Sequence, residues 1–213
     1  MKVVEIFNSI EGEGLRAGMP CTFIRLQGCN LNCSYCDSKY AWDSTSSYCE
    51  MSVAEIVDTV SEWKCPLVTI TGGEPLIHPG IYTLIQQLVN LGYNVNVETN
   101  GSVVPNGTGK NIFYTMDYKT LSSGMNDRMN KEAFKLLRSR DVIKCVVGSK
   151  EDLDDCLHFL EDFNPTAYIF VSPIFGKIEA KAIVEYIQTH KLWNWRVQLQ
   201  LHKYIWDKDE RGV

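Results

Sequence analysis

The 213-residue sequence has no long hydrophobic run, no excess of basic residues and no linker rich in proline, serine or glycine. No apolar stretch approaches the roughly 18 residues that suggest a membrane-spanning helix. Acidic residues interrupt the apolar N-terminal stretch MKVVEIFNSIEGEG, which is not typical of an export signal. The chain carries 21 Lys and Arg against 26 Asp and Glu, so no general nucleic-acid-binding surface is expected. These absences predict a cytoplasmic protein that binds neither membranes nor nucleic acids.

The composition is that of one globular domain. Hydrophobic residues make up 45% of the chain and charged residues 22%, which is ordinary for a folded protein of this length. No charge block or fixed-period repeat divides the sequence. We therefore expect residues 1–213 to form a single domain.

Strand-like and helix-like segments alternate along the chain. Ser52, with Glu55 three residues later, predicts a capping box at the start of a helix that runs to about Trp63. A second helix is predicted over residues 130–138. The β-prone runs that separate such helices are 21–27, 67–70, 94–99, 112–118, 142–147, 167–172 and 197–201.

This alternation predicts an α/β fold, with parallel strands joined by helical crossovers. A closed barrel of this type needs about 250 residues, so we expect an incomplete, TIM-like barrel of parallel strands. In such sheets the chemistry lies at the carboxyl ends of the strands, and polar, glycine-rich segments follow several of the predicted strands.

Three of the eight cysteines lie close together, at Cys29, Cys33 and Cys36, in the pattern C-x3-C-x2-C. A tight cluster in a reducing compartment indicates metal or redox chemistry rather than disulfides. Three thiolates on one loop suit an iron–sulfur cluster with one open iron. A structural zinc site usually has a fourth Cys or His at a matching spacing, and none follows here.

This pattern, with Tyr35 before the third cysteine, resembles the radical S-adenosylmethionine superfamily. The resemblance implies a [4Fe–4S] cluster on the three cysteines, whose open iron chelates S-adenosylmethionine, and a barrel of about six strands. One-electron reduction, by a protein such as flavodoxin or ferredoxin, then yields a 5′-deoxyadenosyl radical. Tyr35 is expected to lie along the adenine. The cofactors carry the chemistry, so no side chain is assigned as catalytic.

The segment from Thr71 to Pro75, TGGEP, supports this resemblance. Glycines let a backbone approach a ligand closely, and in the superfamily a GGEP segment binds the methionine amino group of the cofactor. Gly73 and Glu74 are therefore implied cofactor contacts. The further cofactor contacts that the resemblance implies are Asp117, Tyr118, Lys119, Ser172, Pro173, Ile174 and Phe175.

Five segments, at 6–14, 23–30, 36–42, 117–125 and 200–204, together resemble the 7-carboxy-7-deazaguanine synthases of queuosine and deazapurine biosynthesis. The resemblance implies that 6-carboxy-5,6,7,8-tetrahydropterin is converted to 7-carboxy-7-deazaguanine with loss of ammonia. It also implies Mg2+, a homodimer, and N- and C-terminal segments that complete the substrate site.

The same resemblance implies a role for individual residues. Arg25 corresponds to the arginine that binds the substrate carboxylate, and a planar guanidinium suits that task. Ser38 corresponds to the hydroxyl ligand of Mg2+. Glu11 stands where the family commonly has Gln. The full set of implied substrate contacts is Ile10, Glu11, Gly12, Arg25, Thr71 and His202.

Two other interpretations share the cysteine motif. One is an activating enzyme for a glycyl radical protein, which acts on a polypeptide. The other is a non-catalytic iron–sulfur regulator, which needs a fourth protein ligand and no nucleoside site. The EGEG segment at 11–14 and the SSGM segment at 122–125 favour the pterin enzyme, and GGEP argues against the regulator.

Overall fold

A single sheet of nine strands forms the centre of the molecule in residues 1–207 and 210–213, which the structure, a computed structural model, describes. The sheet has the strand order β3-β1-β2-β4-β5-β6-β7-β8-β9. The strands are β1 (Lys2–Ile10), β2 (Pro20–Leu26), β3 (Cys49–Glu50), β4 (Leu67–Gly72), β5 (Asn94–Thr99), β6 (Ile112–Lys119), β7 (Val142–Val147), β8 (Tyr168–Pro173) and β9 (Trp195–Val197).

Six helices accompany the strands in the described residues. None of them is long and apolar enough to cross a membrane. They are α1 (Val53–Glu62), α2 (Ile81–Asn90), α3 (Lys131–Lys135), α4 (Lys150–Glu161), α5 (Ala180–Thr189) and α6 (His202–Ile205).

The sheet is a partial barrel, as the alternation predicts. Strand β2 and the strands from β4 to β9 run parallel, each to its neighbour, and the order does not return to its first strand. Strands β1 and β3 add an antiparallel edge. The described residues therefore hold seven parallel strands rather than about six, and two antiparallel strands that the sequence reading did not predict.

The two faces of the sheet differ in polarity. Along β4, Val68 and Ile70 belong to the hydrophobic core that the helices cover. Thr69 and Thr71 alternate with them and lie on the opposite face, because successive side chains of a strand point to opposite sides. Other buried polar side chains on the neighbouring strands are Asn96, Thr115 and Lys144. The inner face of the barrel is therefore polar, and this is where a site can be built.

The element predictions hold best where local capping chemistry is strong. At α1 the Glu55 amide donates to Ser52 Oγ, and the Ser52 amide donates to the Glu55 carboxylate, which confirms the capping box. The helix predicted over 130–138 ends already at Lys135. The last strand covers Trp195–Val197 rather than 197–201, and the side chain of Gln198, directly after it, bonds both backbone groups of Gly14.

Replacing Ser52 by alanine tests the capping box. The exchange leaves a backbone amide at the start of α1 without its acceptor, and we expect the free energy of unfolding to fall by about 1 kcal/mol. Chemical denaturation measures this. The control is Thr59→Ala, which removes a hydroxyl bonded to the Glu55 carbonyl inside the same helix. Equal losses in both variants would contradict the role of the cap.

Candidate active site

A cavity of about 560 Å3 opens at the carboxyl ends of the parallel strands. Its volume falls within the range of small-molecule sites in proteins. Sixteen of the residues that the sequence assigned to a site line it, namely Ile10, Glu11, Gly12, Arg25, Cys29, Cys33, Tyr35, Cys36, Ser38, Thr71, Gly73, Asp117, Lys119, Ile174, Phe175 and His202. Glu74, Tyr118, Ser172 and Pro173 lie outside its lining.

The cysteine loop forms one wall of the cavity and carries N–H donors aimed at sulfur. The Leu31 amide lies 3.4 Å from Cys29 Sγ, and the indole N–H of Trp42 lies 3.2 Å from Cys36 Sγ. Burial raises the pKa of Cys29 and of Cys33. Such N–H groups stabilise a thiolate and tune a cluster bound to it. The loop therefore fits an iron–sulfur cluster.

A single metal ion fits this loop less well. In residues 1–207 and 210–213, no three His, Cys, Asp or Glu side chains are grouped closely enough to hold one ion. A tetrahedral zinc site needs its ligands about 2.0–2.3 Å from one centre, whereas the cysteine ligands of a cluster bind different iron atoms.

Glu74 acts from behind the cavity wall. Its buried carboxylate accepts hydrogen bonds from the Leu76 amide, the Thr99 hydroxyl and the Asn100 amide, at 2.6–2.9 Å. The Asn100 side chain in turn lies 3.6 Å from Cys29 Sγ. Glu74 therefore joins the exits of β4 and β5 and positions a neighbour of the cysteine loop, and its own side chain does not face the cavity.

Gly72 and Gly73 let the exit of β4 pack against the exit of β2. A Cβ on Gly72, whose φ is +137°, would lie 2.1 Å from the Leu26 carbonyl oxygen. A Cβ on Gly73 would lie 2.0 Å from the carbonyl oxygen of Gly28, directly before Cys29. The double glycine is required here for backbone packing beside the cysteine loop, in addition to any approach to a ligand.

The Tyr118 side chain turns away from the cavity, whereas Ser172 lies on the inner face of the barrel beneath Glu13. The Tyr118 ring stacks on Phe159 of α4, and its hydroxyl donates to Asp155. The Ser172 hydroxyl lies 3.3 Å from Glu13. Their backbone groups remain the parts that could contact a cofactor, as the positions of Asp117 and Lys119 on either side of Tyr118 indicate.

A cluster of buried charges lies on the floor of the cavity. Lys144 Nζ is 3.1 Å from carboxylate oxygens of both Glu13 and Asp117, and Lys119 Nζ is 2.6 Å from Asp117. Burial alone would lower the pKa of Lys144, but Asp117, Glu13 and Glu98 hold it well above the ordinary value. For Asp117, the two lysines outweigh burial and lower the pKa.

The sequence reading assigned no role to Glu13 or Lys144. A signal for Lys144 exists in the sequence, because a lysine in the middle of the apolar strand VIKCVV must find partners when it is buried. Glu13 belongs to the EGEG segment, but only the fold brings it to Lys144, 131 positions away.

Glu98 faces the same floor, and its pKa lies close to neutral pH. It accepts a hydrogen bond of 2.8 Å from the Thr71 hydroxyl. Burial raises the pKa of Glu98, the carboxylates of Glu11 and Glu13 raise it further and Lys144 lowers it, so that the pKa is about 7. A carboxyl group of this kind can donate or accept a proton near pH 7.

Arg25 is held in an aromatic and acidic frame. Its Nε donates to Glu5 at 2.7 Å, and the hydroxyl of Tyr40 donates to the same carboxylate oxygen. The guanidinium also lies 5.5–5.8 Å from the ring centres of Tyr40 and Phe7. These contacts fix the plane of the guanidinium beside the cavity, as binding of a carboxylate requires.

The N- and C-terminal segments meet at the cavity. The Leu201 amide donates to the Gly12 carbonyl at 3.1 Å. The His202 ring packs so closely on Gly12 that a Cβ there would lie 2.2 Å from Nδ1. Burial lowers the pKa of His202, although Glu13 and Asp37 act in the opposite direction. Residues 210–213 also contribute to the lining.

Ser38 lies beside a carboxylate. Its hydroxyl donates to Asp37 at 3.0 Å, and Lys203 Nζ is 3.6 Å from the other oxygen of Asp37. Oxygen ligands of this kind suit Mg2+.

The raised pKa of Glu98 predicts a specific pH dependence of stability. The group ionises near pH 4.5 when unshifted and near pH 7 in the folded chain. The stabilisation that the protonated Glu98 contributes is therefore complete below pH 4.5, and it is lost as the pH rises through about 7. From about pH 5 to about pH 7.5, the free energy of unfolding of the wild type should fall relative to that of Glu98→Gln. The fall should be about 1.4 kcal/mol for each unit by which folding raises the pKa of Glu98.

Anaerobic denaturation at several pH values measures this difference. The matched control is Glu62→Gln, an exposed position at the end of α1, which should follow the wild type. Identical pH profiles for the wild type and Glu98→Gln would contradict the assignment.

Comparison with known proteins agrees with this site. Residues 23–130 match the family model of the Radical SAM superfamily. The whole chain is 43% identical to 7-carboxy-7-deazaguanine synthase from Clostridium acetobutylicum, over 99% of that protein. It is 41% identical to the enzyme of the same name from Methanospirillum hungatei, over 96% of this chain and 85% of that protein.

Among solved structures, the crystal structure of QueE from Escherichia coli superposes with a TM-score of 0.78 at 26% identity, and the match covers 93% of each chain. These similarities confirm the interpretation as a radical S-adenosylmethionine enzyme of deazapurine biosynthesis, with the cluster and S-adenosylmethionine that the superfamily uses. The chain belongs to the 7-carboxy-7-deazaguanine synthase family.

Proposed function

We propose that this enzyme converts 6-carboxy-5,6,7,8-tetrahydropterin to 7-carboxy-7-deazaguanine with release of ammonia. One observation carries the proposal: a single cavity contains the three-cysteine loop, the framed guanidinium of Arg25 and the buried carboxyl group of Glu98. It thus combines a place for a radical source with groups that can bind a small carboxylated heterocycle.

The cofactor side of the cavity is proposed to hold the cluster on Cys29, Cys33 and Cys36, and S-adenosylmethionine along Gly73 and Tyr35. Backbone groups of 117–119 and 172–175 complete this side. When bound, and reduced by a protein such as flavodoxin or ferredoxin, these groups would supply a 5′-deoxyadenosyl radical for hydrogen abstraction from C6 of the substrate.

The substrate side is proposed to consist of Arg25, Thr71, His202 and the loop from Ile10 to Gly12. Arg25 binds the substrate carboxylate, because Glu5 and Tyr40 hold its guanidinium in one plane. Thr71 lies between Arg25 on β2 and Glu98 on β5, where its hydroxyl is oriented by the Glu98 carboxylate. Residues 1–213 are proposed to act as one domain, with both terminal segments completing this side.

Ser38 is proposed as the Mg2+ ligand, since its hydroxyl and the adjoining Asp37 carboxylate offer hard oxygen atoms. The ion would then lie at the cavity, where a substrate oxygen could complete its shell. A homodimer is also proposed. The side chains of Trp193, Tyr204 and Ile205 are exposed and apolar, and they offer surface for a second copy.

One reaction tests the proposed function. The reconstituted protein is incubated anaerobically with S-adenosylmethionine, a reductant, Mg2+ and 6-carboxytetrahydropterin, and the products are read by mass spectrometry. A species lighter than the substrate by one ammonia supports the ring contraction. Formation of 5′-deoxyadenosine without that species would overturn the substrate assignment.

Cys33→Ala should abolish the cluster, because the loop then offers two thiolates instead of three. We expect loss of bound iron and of the visible absorbance after reconstitution. The control is Cys49→Ala, which changes an exposed cysteine on β3 outside the cavity and should retain both. Retained iron and activity in Cys33→Ala would remove the cluster assignment.

Arg25→Ala should weaken pterin binding far more than S-adenosylmethionine binding. Loss of a charged hydrogen-bonding partner costs about 1.5–3 kcal/mol, so the KM for pterin should rise roughly tenfold to a hundredfold. Equilibrium binding of S-adenosylmethionine should change less than about threefold. An equal loss of affinity for both molecules would indicate a role in folding instead.

A further inference from the structure

Arg16 lies beneath the loop that the proposed function assigns to substrate binding. It ends the short 3-10 turn Gly14–Arg16, directly after the EGEG segment. Its Nη2 lies 2.8 Å from Glu11 Oε1 and 2.9 Å from Thr69 Oγ1. The same guanidinium donates to the backbone carbonyls of Val68 and Asn94, which belong to β4 and β5. Arg16 thus ties the loop to two strands of the barrel.

Glu11 is the residue through which this connection reaches the loop. Its side chain is 2% exposed, and Oε1 accepts from both Arg16 and the Thr69 hydroxyl. Its backbone is bonded as well, to Met19 and to Gly18. A buried carboxylate is costly unless a cation and hydrogen bonds accompany it. Glu11 therefore depends on Arg16 for its place in the wall.

The wall that contains Glu11 is thin. On one side, Glu11, Gly12 and Glu13 line the main cavity. On the other, Glu11 and Glu13 line a second cavity of about 80 Å3, together with Arg16. A loop with a cavity behind it has few packing atoms to resist displacement, because contacts are lost wherever a void adjoins it. Arg16 lines this second cavity, and its guanidinium bonds Glu11, so it supports the loop there.

We propose that Arg16 is a positioning residue which, through Glu11, holds the 10–14 loop at the distance from the cavity that substrate binding requires. This inference rests on the proposed function, and it accounts for the acid at position 11. Because Arg16 lies beneath position 11, a carboxylate there forms an ion pair with its guanidinium, which the amide of a glutamine would not form. A displacement of the order of an ångström at a group that contacts the substrate weakens productive binding strongly.

The charges around the cavity floor determine what a substitution of Arg16 or Glu11 should do to substrate binding. Glu98 is faced by Glu11 and Glu13 from the loop, by Lys144 from β7, by Arg25 from β2 and by the Thr71 hydroxyl from β4. Removing Arg16 leaves Glu11 as an unpaired buried carboxylate in this set. Exchanging Glu11 for glutamine at the same time removes that charge.

The test compares Arg16→Gln, Glu11→Gln and the double variant in steady-state kinetics. We expect Arg16→Gln to raise the KM for 6-carboxytetrahydropterin roughly tenfold, with kcat changed less than about threefold, because it leaves Glu11 as an uncompensated buried charge in the substrate-binding loop. Glu11→Gln keeps an acceptor for Arg16, so it should raise the KM less than Arg16→Gln does. The KM of the double variant should fall most of the way from that of Arg16→Gln to that of Glu11→Gln. A purely structural defect would not be reversed in this way.

Two further variants complete the design. Arg140→Gln is the matched control, because Arg140 also caps loop carbonyls and lines the second cavity, yet its bonds go to Gly109 and Lys110. It should leave the KM for pterin unchanged. Arg16→Lys keeps the charge without the fork of donors and should give an intermediate KM, which provides a reading if Arg16→Gln does not fold.

Equilibrium binding of S-adenosylmethionine to the cluster-loaded proteins, measured without reductant, distinguishes a specific defect in pterin binding from a general structural defect. An unchanged pterin KM in Arg16→Gln would overturn the positioning role. So would a rise in KM that is matched by lost S-adenosylmethionine affinity and is not recovered in the double variant. If the wild type converts no pterin at all, the proposed function fails instead.

Discussion

The ammonium group of Lys144 is the interaction on which the site depends. It lies inside the barrel, where it pairs with Glu13 from the N-terminal loop and Asp117 from β6, and it acts on Glu98 from β5. These carboxyl groups come from separate parts of the chain. Without a central cation, their mutual repulsion and their burial would both oppose the fold. Lys144, together with Lys119 beside Asp117, therefore permits an acidic floor beneath the cavity.

This acidic floor explains why the rest of the site is rich in paired cations. Arg25 is bound by Glu5, Arg16 by Glu11, and Lys119 by Asp117, each at 2.6–2.8 Å. Because buried charges are stable only when they are matched, each pair also fixes the element that carries it. The polar interior thus positions the terminal segments, whereas the apolar outer face holds the helices onto the sheet.

Local chemistry made the fold and the cofactor side predictable. The capping box of α1, the alternation of strands and helices, the three-cysteine loop and the double glycine all depend on neighbouring residues. The orientation of Tyr118 was also within reach, because Asp117 and Lys119 face inward and strand alternation places Tyr118 on the other face. Adjacent residues of one motif therefore need not share a role.

The charge network could not be predicted in the same way. Lys144 can be recognised in the sequence as a lysine inside an apolar strand, but its partners Asp117 and Glu13 lie 27 and 131 positions away. Register and barrel curvature bring them together, and neither is encoded in a local pattern. The pair of Arg16 and Glu11 is near in sequence, yet its meaning depends on Thr69 and on the cavity behind the loop.

The most direct test of the account is isotope transfer from a substrate labelled with deuterium at C6. Because the pterin and the nucleoside are proposed to share one cavity, mass spectrometry should find the deuterium in 5′-deoxyadenosine recovered after turnover. Unlabelled 5′-deoxyadenosine, with the label retained at C6 of the recovered pterin, would contradict it.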